Sequence, residues 1–211
     1  YDSEYAVFTI GAWHDSIMAM KKRKVKKNNL PKDSLGIFSL KTKELVKLGH
    51  IKSYKIPEKW SGFLAYQLEE IKNEKEEKAD SLNSKKKRPK TKKVNKDNGY
   101  HLVVRNLKTN EQDTIKYVTD YLFAKKGKWL AYASTGDSTK SKHGAYVRNM
   151  ETAVTSKLHE ADKAKYYQLN FSESGKRLGF VVDTDTTKVQ LRPNTLFLWE
   201  AGQSNASQVT D

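Results

Sequence analysis

The sequence contains no cysteine, which excludes disulfide bonds and thiolate metal sites. It also contains no apolar run of about 18 residues, the length that a membrane-spanning helix needs, so we expect no membrane span. There is no charged n-region followed by an apolar h-region at the start, and we expect that any targeting signal has been removed. With 36% hydrophobic and 10% aromatic residues, the chain is still apolar enough to fold around a core.

The formal net charge of +15 is concentrated in two basic runs, residues 21–27 (KKRKVKK) and 85–96 (KKKRPKTKKVNK). Clustered lysine and arginine can displace counterions from nucleic-acid phosphates. The second run, however, has no aromatic residue for base stacking and follows a Glu/Lys stretch at 69–84. We interpret residues 71–98 as a solvated insertion and do not expect nucleic acid as a partner; polyanion binding is kept as a remote alternative.

Four segments of the chain follow one plan, in which a polar turn is followed by alternating apolar and polar residues. Alternation with a period of two residues indicates a strand with one buried face. The segments are DSEYAVFTI (2–10), EKWSGFLAYQL (58–68), AKKGKWLAYAS (124–134) and SESGKRLGFVV (172–182).

A second strand with its own turn follows each of these segments, and a further strand precedes three of them. The order of strand, turn, strand, insertion, strand and turn predicts an antiparallel meander. The following strands are LGIFSLKTKEL (35–45), HLVVRNLKTNEQ (101–112), AYVRNMETAVT (145–155) and, more loosely, LFLWEAG (196–202); the preceding ones are KSYKI (52–56), VTDYLFA (118–124) and YYQLNFS (166–172).

The spacing of the repeats predicts a fold class. Asn106 and Asn149 are about 43 residues apart and Tyr132 and Phe180 about 48, close to the 40 to 50 residues of a four-stranded propeller blade. We therefore predict an all-β chain of consecutive four-stranded antiparallel blades from an incomplete β-propeller, with charged, partly helical insertions. The predicted blades are residues 1–50, 51–116, 117–160 and 161–211, and the insertion at 71–98 lies within the second blade.

Local signals refine this prediction at turns and insertions. Gly127 and Gly175 stand where tight hairpins need positive φ, and Asn110 tolerates the left-handed conformation better than most residues. Asp15 or Ser16 is expected to cap a short helix over residues 16–27. Residues 65–80 (AYQLEEIKNEKEEKAD) are expected to continue as a helix beyond residue 68, supported by Glu–Lys pairs.

Several of these stretches resemble a known family. The turn SxxGKxLAY, the stretch VRNLKT (104–109) and the stretch VTDYLFAKKGKWLAYAS (118–134) are similar to the N-terminal propeller of bacterial, Bacteroidetes-like serine peptidases of the prolyl oligopeptidase family, of the dipeptidyl aminopeptidase or acylaminoacyl peptidase type. Residues 32–48 and 56–69 strengthen the resemblance.

The resemblance implies a propeller of seven or eight blades above an α/β-hydrolase domain, where it would admit short peptides and exclude folded proteins. Peptide substrate, the missing blades and the hydrolase domain would then be the partners, in a periplasmic or secreted protein. Propellers of the TolB type carry similar turns, so a protein-binding scaffold is the alternative.

The sequence contains no G-x-S-x-G nucleophile elbow, so no catalytic residue can be carried over from that family. We predict that the chain itself is not catalytic and has no cofactor or metal site. Because an incomplete propeller leaves blade faces and sheet edges uncovered, we also expect self-association or marginal stability.

Two acidic motifs could be mistaken for sites. FVVDTDTT (180–187) matches the D-x-D-x-T pattern of haloacid-dehalogenase phosphotransferases, with Asp183, Asp185 and Thr187 in the key positions, but too few residues follow for the domain that such enzymes need. We interpret it as a solvated hairpin loop. The pair Glu69–Glu70 resembles the glutamates that grip a free amino terminus in dipeptidyl peptidases, and we interpret it as part of the charged insertion.

The remaining candidates are histidine, serine and aromatic side chains. The five histidines have no zinc-ligand spacing, and the serines near His143 belong to a polar loop. The aromatic residues at matching repeat positions are predicted to pack blade on blade rather than to form a ligand cage. These residues are His14, His50, His101, His143 and His159; Ser134, Ser138 and Ser141; and Trp60, Tyr66, Trp129, Tyr132, Phe180 and Trp199.

Overall fold

A computed structural model of the chain describes residues 4–26, 29–69, 99–136, 143–184 and 194–209. These residues form fourteen β-strands and one α-helix. The elements are β1 (Tyr5–Ile10), α1 (His14–Lys22), β2 (Ser34–Ser39), β3 (Leu45–Leu48), β4 (Ile51–Lys55), β5 (Phe63–Leu68), β6 (Tyr100–Asn106), β7 (Gln112–Phe123), β8 (Trp129–Ser134), β9 (Gly144–Asn149), β10 (Thr155–Glu160), β11 (Lys165–Phe171), β12 (Arg177–Asp183), β13 (Thr195–Glu200) and β14 (Ser207–Gln208).

The strands form three antiparallel sheets in which each strand pairs with its neighbour in sequence. The orders are β1-β2-β3, β4 through β10, and β11-β12-β13-β14. A meander of this kind needs only short connections, because consecutive antiparallel strands are joined at adjacent ends. The predicted all-β antiparallel meander is confirmed.

The seven-stranded sheet consists of two four-stranded groups that share β7. The first half of β7 pairs with β6 and its second half pairs with β8. Val118 lies at the join, opposite Tyr100 on one side and Ser134 on the other. The residue before it, Tyr117, has a φ of 57°, and the register shifts on both sides are typical of a bulge that bends a strand. The predicted boundary between residues 116 and 117 falls inside this strand.

The chain thus contains four successive units. The first is β1 to β3, the second runs from β4 to the first half of β7, the third from the second half of β7 to β10, and the fourth from β11 to β14. Unit boundaries in the sequence remain a prediction, and the predicted insertion at 71–98 lies outside the described residues.

The hairpin that leads to the last strand of each of the first three units has the same construction. The side chains of Asn106 and Asn149 each accept hydrogen bonds from two backbone amides that follow them, and Ser39 accepts one from the Thr42 amide. In each hairpin, a side-chain oxygen thus accepts the hydrogen bond that a backbone carbonyl accepts in an ordinary turn. The left-handed residue that follows in each hairpin is Lys43 (φ 61°), Asn110 (φ 60°) or Ala153 (φ 58°).

We expect Ala153→Gly to stabilise the protein by about 0.5–1 kcal/mol, because the left-handed conformation costs an alanine about 1–2 kcal/mol while glycine loses part of that gain in chain entropy. Asn110→Gly is the matched control and should change stability less, since asparagine already tolerates this conformation. Urea unfolding of both variants measures the difference. Equal effects at the two positions would contradict the strain at Ala153.

The helix differs from its prediction at both ends. Trp13 is the N-cap and no side chain caps the helix, so the proposed capping by Asp15 or Ser16 is wrong. The helix ends at Lys22 rather than at residue 27, because Lys24 turns into the left-handed conformation with a φ of 57°. The second predicted helix, beyond residue 68, lies outside the described residues except for Glu69, which is not helical, and residues 65–68 belong to β5.

Candidate functional site

Three hydrophobic clusters lie between successive units, and we call them seams 1, 2 and 3. Each seam draws side chains from one face of one unit and the opposite face of the next. Seam 1 contains Leu35 and Ile37 against Leu64, Tyr66, Val103 and Leu107; seam 2 contains Ala65, Leu102 and Val104 against Val118, Tyr121, Leu130, Tyr132 and Met150; seam 3 contains Ala131, Ala133, Ala145 and Val147 against Tyr166, Phe180, Val182, Phe197 and Trp199.

The period-two alternation of the repeat strands explains how one strand serves two seams. In β5, Leu64 and Tyr66 face seam 1 while Ala65 between them faces seam 2. In β8, the same alternation sends Tyr132 to seam 2 and Ala131 to seam 3. A large side chain on one face and a small one on the other lets units stack closely. The sequence predicted one buried face for these strands, whereas both faces of β5 and β8 are buried, because each strand packs against two seams.

Aromatic contacts fix two of the seams. Trp129 and Trp199 meet edge to face across seam 3 with ring centroids 5.4 Å apart, and the Trp199 indole donates a hydrogen bond of 2.9 Å to the Gln203 carbonyl. Trp60 meets Phe123 edge to face, also at 5.4 Å, and donates to the Ala124 carbonyl. The aromatic residues at the repeat positions therefore pack unit on unit, as predicted.

A polar network joins the first strands of the second and third units, and sequence reasoning did not find it. The Ser53 hydroxyl donates to the Gln67 side-chain oxygen at 3.0 Å and is hydrogen-bonded to the Tyr121 hydroxyl at 3.0 Å. The Gln67 amide in turn donates to the Val118 carbonyl, and the Lys55 ammonium donates to the Tyr121 carbonyl. These residues are far apart in sequence, so nothing in the local pattern signalled the network.

The network is suited to holding strands together rather than to catalysis. Burial raises the pKa of Tyr121 to about 12, so its phenol stays protonated near neutral pH. The hydroxyl of Ser53 is bonded to an amide and a phenol, neither of which is a base that could activate it as a nucleophile.

A ladder of charges joins the turns that precede β5, β8 and β12. Glu173 accepts from the ammonium groups of Lys59 and Lys125, at 2.7 and 3.0 Å, and Lys125 lies 3.6 Å from Glu58. Hydrogen bonds from the two lysines lower the pKa of Glu173 to about 2. An alignment of the repeats could have indicated this ladder, since its four residues occupy equivalent turns of the repeats.

The acidic motifs do not form a site among the described residues. Asp183 is only 5% exposed and pairs in register with Lys165, so the prediction of a solvated loop is wrong for it, because β12 continues through this residue. Asp185 and Thr187 lie outside the described residues. Glu69 forms an ion pair with Lys32, and Glu70 also lies outside the described part.

The candidate serine and histidine do not form a catalytic pair. The Ser134 hydroxyl donates to the Lys116 carbonyl, while His143 Nδ1 is hydrogen-bonded to the Ala164 carbonyl at 3.1 Å. Ser138 and Ser141 fall outside the described ranges. Within those ranges, no group of three or more histidines and carboxylates is arranged to hold a metal ion.

His159 lies at the border of seam 3. Its ring lies 4.4 Å from that of Phe197, and its Nδ1 is hydrogen-bonded to the Tyr166 hydroxyl at 2.8 Å. Burial lowers the pKa of His159, because the charged imidazolium loses its hydration there. The nearest carboxylate along the chain, Glu160, forms an ion pair with Lys157.

This lowered pKa makes stability depend on pH. The unfolded chain binds the proton of His159 more readily than the folded chain does, so this contribution is complete above the ordinary histidine pKa of about 6.5 and is lost as the pH falls below it. We expect the urea midpoint of the wild type to drop between pH 7.5 and pH 5.5, and His159→Gln to reduce that drop. If His159→Gln leaves the pH dependence unchanged, the pH dependence arises from other groups.

The connection between β1 and β2 in the first unit is long, as is the connection between the second and third strands in each later unit, and we call these the rim connections because their described ends lie along one rim. They are residues 11–33, 69–99, 135–143 and 184–194, and they carry most of the net charge of +15. The first reaches the second through the Lys32–Glu69 ion pair, and the second reaches the third where the Gly99 amide donates to the Thr135 hydroxyl at 3.1 Å. The third connects to the start of β11 through His143 and Ala164.

No protein-family model matches the sequence, and no curated protein matches it either. Solved structures do resemble it. A prolyl endopeptidase shares 12% identity, with a TM-score of 0.51 over 85% of this chain and 26% of its own. The β-propeller domain of the Trilobed protease from Pyrococcus furiosus shares 15% identity, with a TM-score of 0.36 over 75% of this chain and 57% of its own. TolB from Acinetobacter baumannii shares 12% identity, with a TM-score of 0.41 over 85% and 38%.

The stacked units decide the fold. The chain is an incomplete β-propeller. Antiparallel units that follow one another and bury a hydrophobic seam at each contact are the defining arrangement of propeller blades, and among the described residues three of the units have four strands and the first has three. The chain spans about a quarter of the prolyl endopeptidase that it resembles. The one helix of the described residues, α1, is too short and too polar to cross a membrane.

Proposed function

We propose that this chain is the non-catalytic propeller portion of a serine peptidase of the prolyl oligopeptidase family, of the dipeptidyl aminopeptidase or acylaminoacyl peptidase type. The observation that carries the proposal is a coincidence of two features. The turns that resemble this family in sequence directly precede β5, β8 and β12. These three strands are also the ones that pack the seams between units. The similarity in fold to a prolyl endopeptidase agrees with this proposal.

In the whole protein we propose that the propeller controls which peptides reach a separate α/β-hydrolase domain. Its blades would be residues 1–50, 51–116, 117–160 and 161–211, completed by further blades. The seams suit this role, because tightly packed units keep a passage narrow and exclude folded proteins. We also propose a periplasmic or secreted location, on the basis of the family resemblance.

The proposal is tested first on the chain by itself. We expect no hydrolysis of aminoacyl or dipeptidyl chromogenic substrates, because the described residues contain no activated nucleophile. Measurable turnover that survives repurification would contradict the non-catalytic role. The sequence that follows residue 211 in the gene provides a second test, since a G-x-S-x-G elbow with a later Asp and His would supply the missing catalytic residues. Its absence would favour a protein-binding scaffold of the TolB kind.

The gating role is tested in the protein that includes a hydrolase domain. Trp199→Ala should loosen seam 3 and raise the cleavage of long peptides relative to a dipeptidyl substrate. Trp13→Ala, which alters an exposed tryptophan outside the seams, is the matched control. An unchanged ratio in a folded Trp199→Ala protein would contradict gating by the seams while leaving the family assignment intact.

A further inference from the structure

Helix α1, in the first rim connection, leaves apolar side chains uncovered. No residue of α1 is buried. Trp13 is 74% exposed and Met18 is 42% exposed, although side chains of this kind are normally withdrawn from water. The Asp33 side chain accepts a 3.0 Å hydrogen bond from the Ala12 amide and closes the base of this segment. We call residues 12–26 the helical arm.

The arm is amphipathic and strongly cationic at its C-terminal end. Trp13, Ile17 and Met20 are spaced four and three residues apart, which places them on one side of the helix, where Trp13 is exposed and Ile17 and Met20 are half-buried. The last turn and the residues after it are all exposed apart from Val25. Among the described residues, no carboxylate forms an ion pair with the five cations in this stretch, Lys21, Lys22, Arg23, Lys24 and Lys26.

The position of the arm gives it access to a large flat partner. It belongs to the first rim connection, and Lys32 at its base contacts the next one through Glu69. The short turns at the opposite rim, by contrast, hold balanced ion pairs such as Lys59–Glu173 and Lys128–Glu151. Positive charge is thus gathered on one rim of the propeller, with exposed apolar side chains beside it.

We propose that the helical arm binds the surface of an anionic lipid membrane. Anionic headgroups complement the cationic run, and the headgroup boundary accommodates an amphipathic tryptophan beside aliphatic side chains. A nucleic acid would neutralise the charge but offers no apolar layer for Ile17 and Met20. A lipid surface offers both anionic headgroups for the cations and an apolar layer for these side chains. The proposal is independent of the peptidase assignment, because it concerns a surface that no seam uses.

Co-sedimentation with phosphatidylcholine vesicles, with and without phosphatidylglycerol, tests the proposal. We expect binding to the anionic vesicles alone, weakened by high salt. The double variant Lys21→Gln, Lys22→Gln should lower the partition coefficient about thirtyfold, since each cation near an anionic surface contributes about 1 kcal/mol. Trp13→Ala should weaken binding several-fold and remove the blue shift of tryptophan emission that vesicles produce.

The matched control is Lys41→Gln, Lys43→Gln, which makes the same change of charge at exposed positions in the hairpin after β2. It should leave vesicle binding nearly unchanged. Equal losses in the two double variants would show a general charge effect and overturn the arm as the site. Equal binding to neutral and anionic vesicles would also overturn it, and so would binding to heparin or nucleic acid without any binding to vesicles.

Discussion

Gly175→Ala is expected to destabilise the protein by about 3–5 kcal/mol, as the sum of left-handed strain and overpacking. Gly175 has a φ of 71° in the turn before β12, a conformation that other residues adopt at a cost. An added Cβ would also stand 1.8 Å from the Lys126 carbonyl oxygen in the turn of the preceding unit. Because that neighbour is backbone, the two turns would have to separate.

Two other glycines serve as controls for this result. Gly202 has a φ of 102° but open space around it, so Gly202→Ala should show the cost of strain alone, about 1–2 kcal/mol. Gly179 has neither positive φ nor a neighbour within 4 Å, and Gly179→Ala should be close to neutral. Urea unfolding of the three variants separates the two contributions. A Gly175→Ala protein no less stable than Gly202→Ala would contradict the close contact between turns.

Trp199→Ala is expected to cost about 3–5 kcal/mol, the range for removing a large buried aromatic side chain. Trp199 is 2% exposed, packs on Trp129 across seam 3 and satisfies the Gln203 carbonyl. Its removal leaves a cavity between the third and fourth units and takes away a hydrogen bond. Chemical unfolding followed by circular dichroism, which does not depend on the lost fluorophore, measures the change.

Trp13→Ala provides the comparison for Trp199→Ala, because it removes the same side chain from an exposed position. The expected change is within about 0.5 kcal/mol. If both substitutions had similar effects on the unfolding free energy, the seam would not be the source of the stability assigned to Trp199.

The strands and their turns could be predicted from the sequence because the signals are local. Alternation with a period of two residues marked β5, β8 and β12, and Gly127 and Gly175 do adopt the positive φ that their turns suggested. The repeat positions of Tyr66, Tyr132 and Phe180 also indicated packing between units, since residues in equivalent places face equivalent neighbours.

What the sequence could not predict depends on contacts between distant segments. The network around Ser53 and Tyr121 joins residues 68 positions apart. The burial of Asp183 follows from the continuation of β12, which a polar sequence of Asp and Thr does not suggest. The start of α1 was misplaced because good capping residues, Asp15 and Ser16, lie within the helix, while Trp13 occupies the N-cap without any side-chain bond.

The shared strand β7 has a consequence for how the molecule opens. Its two halves are consecutive in one backbone, and each half is hydrogen-bonded to a different unit. Release of either unit must therefore disturb a strand that the other one holds. The fourth unit is attached to the third by the turn between β10 and β11, by seam 3 and by the Glu173–Lys125 ion pair, with no strand in common. The middle of the chain should consequently exchange its amide hydrogens as one cooperative block, while the last unit opens by itself at lower free energy.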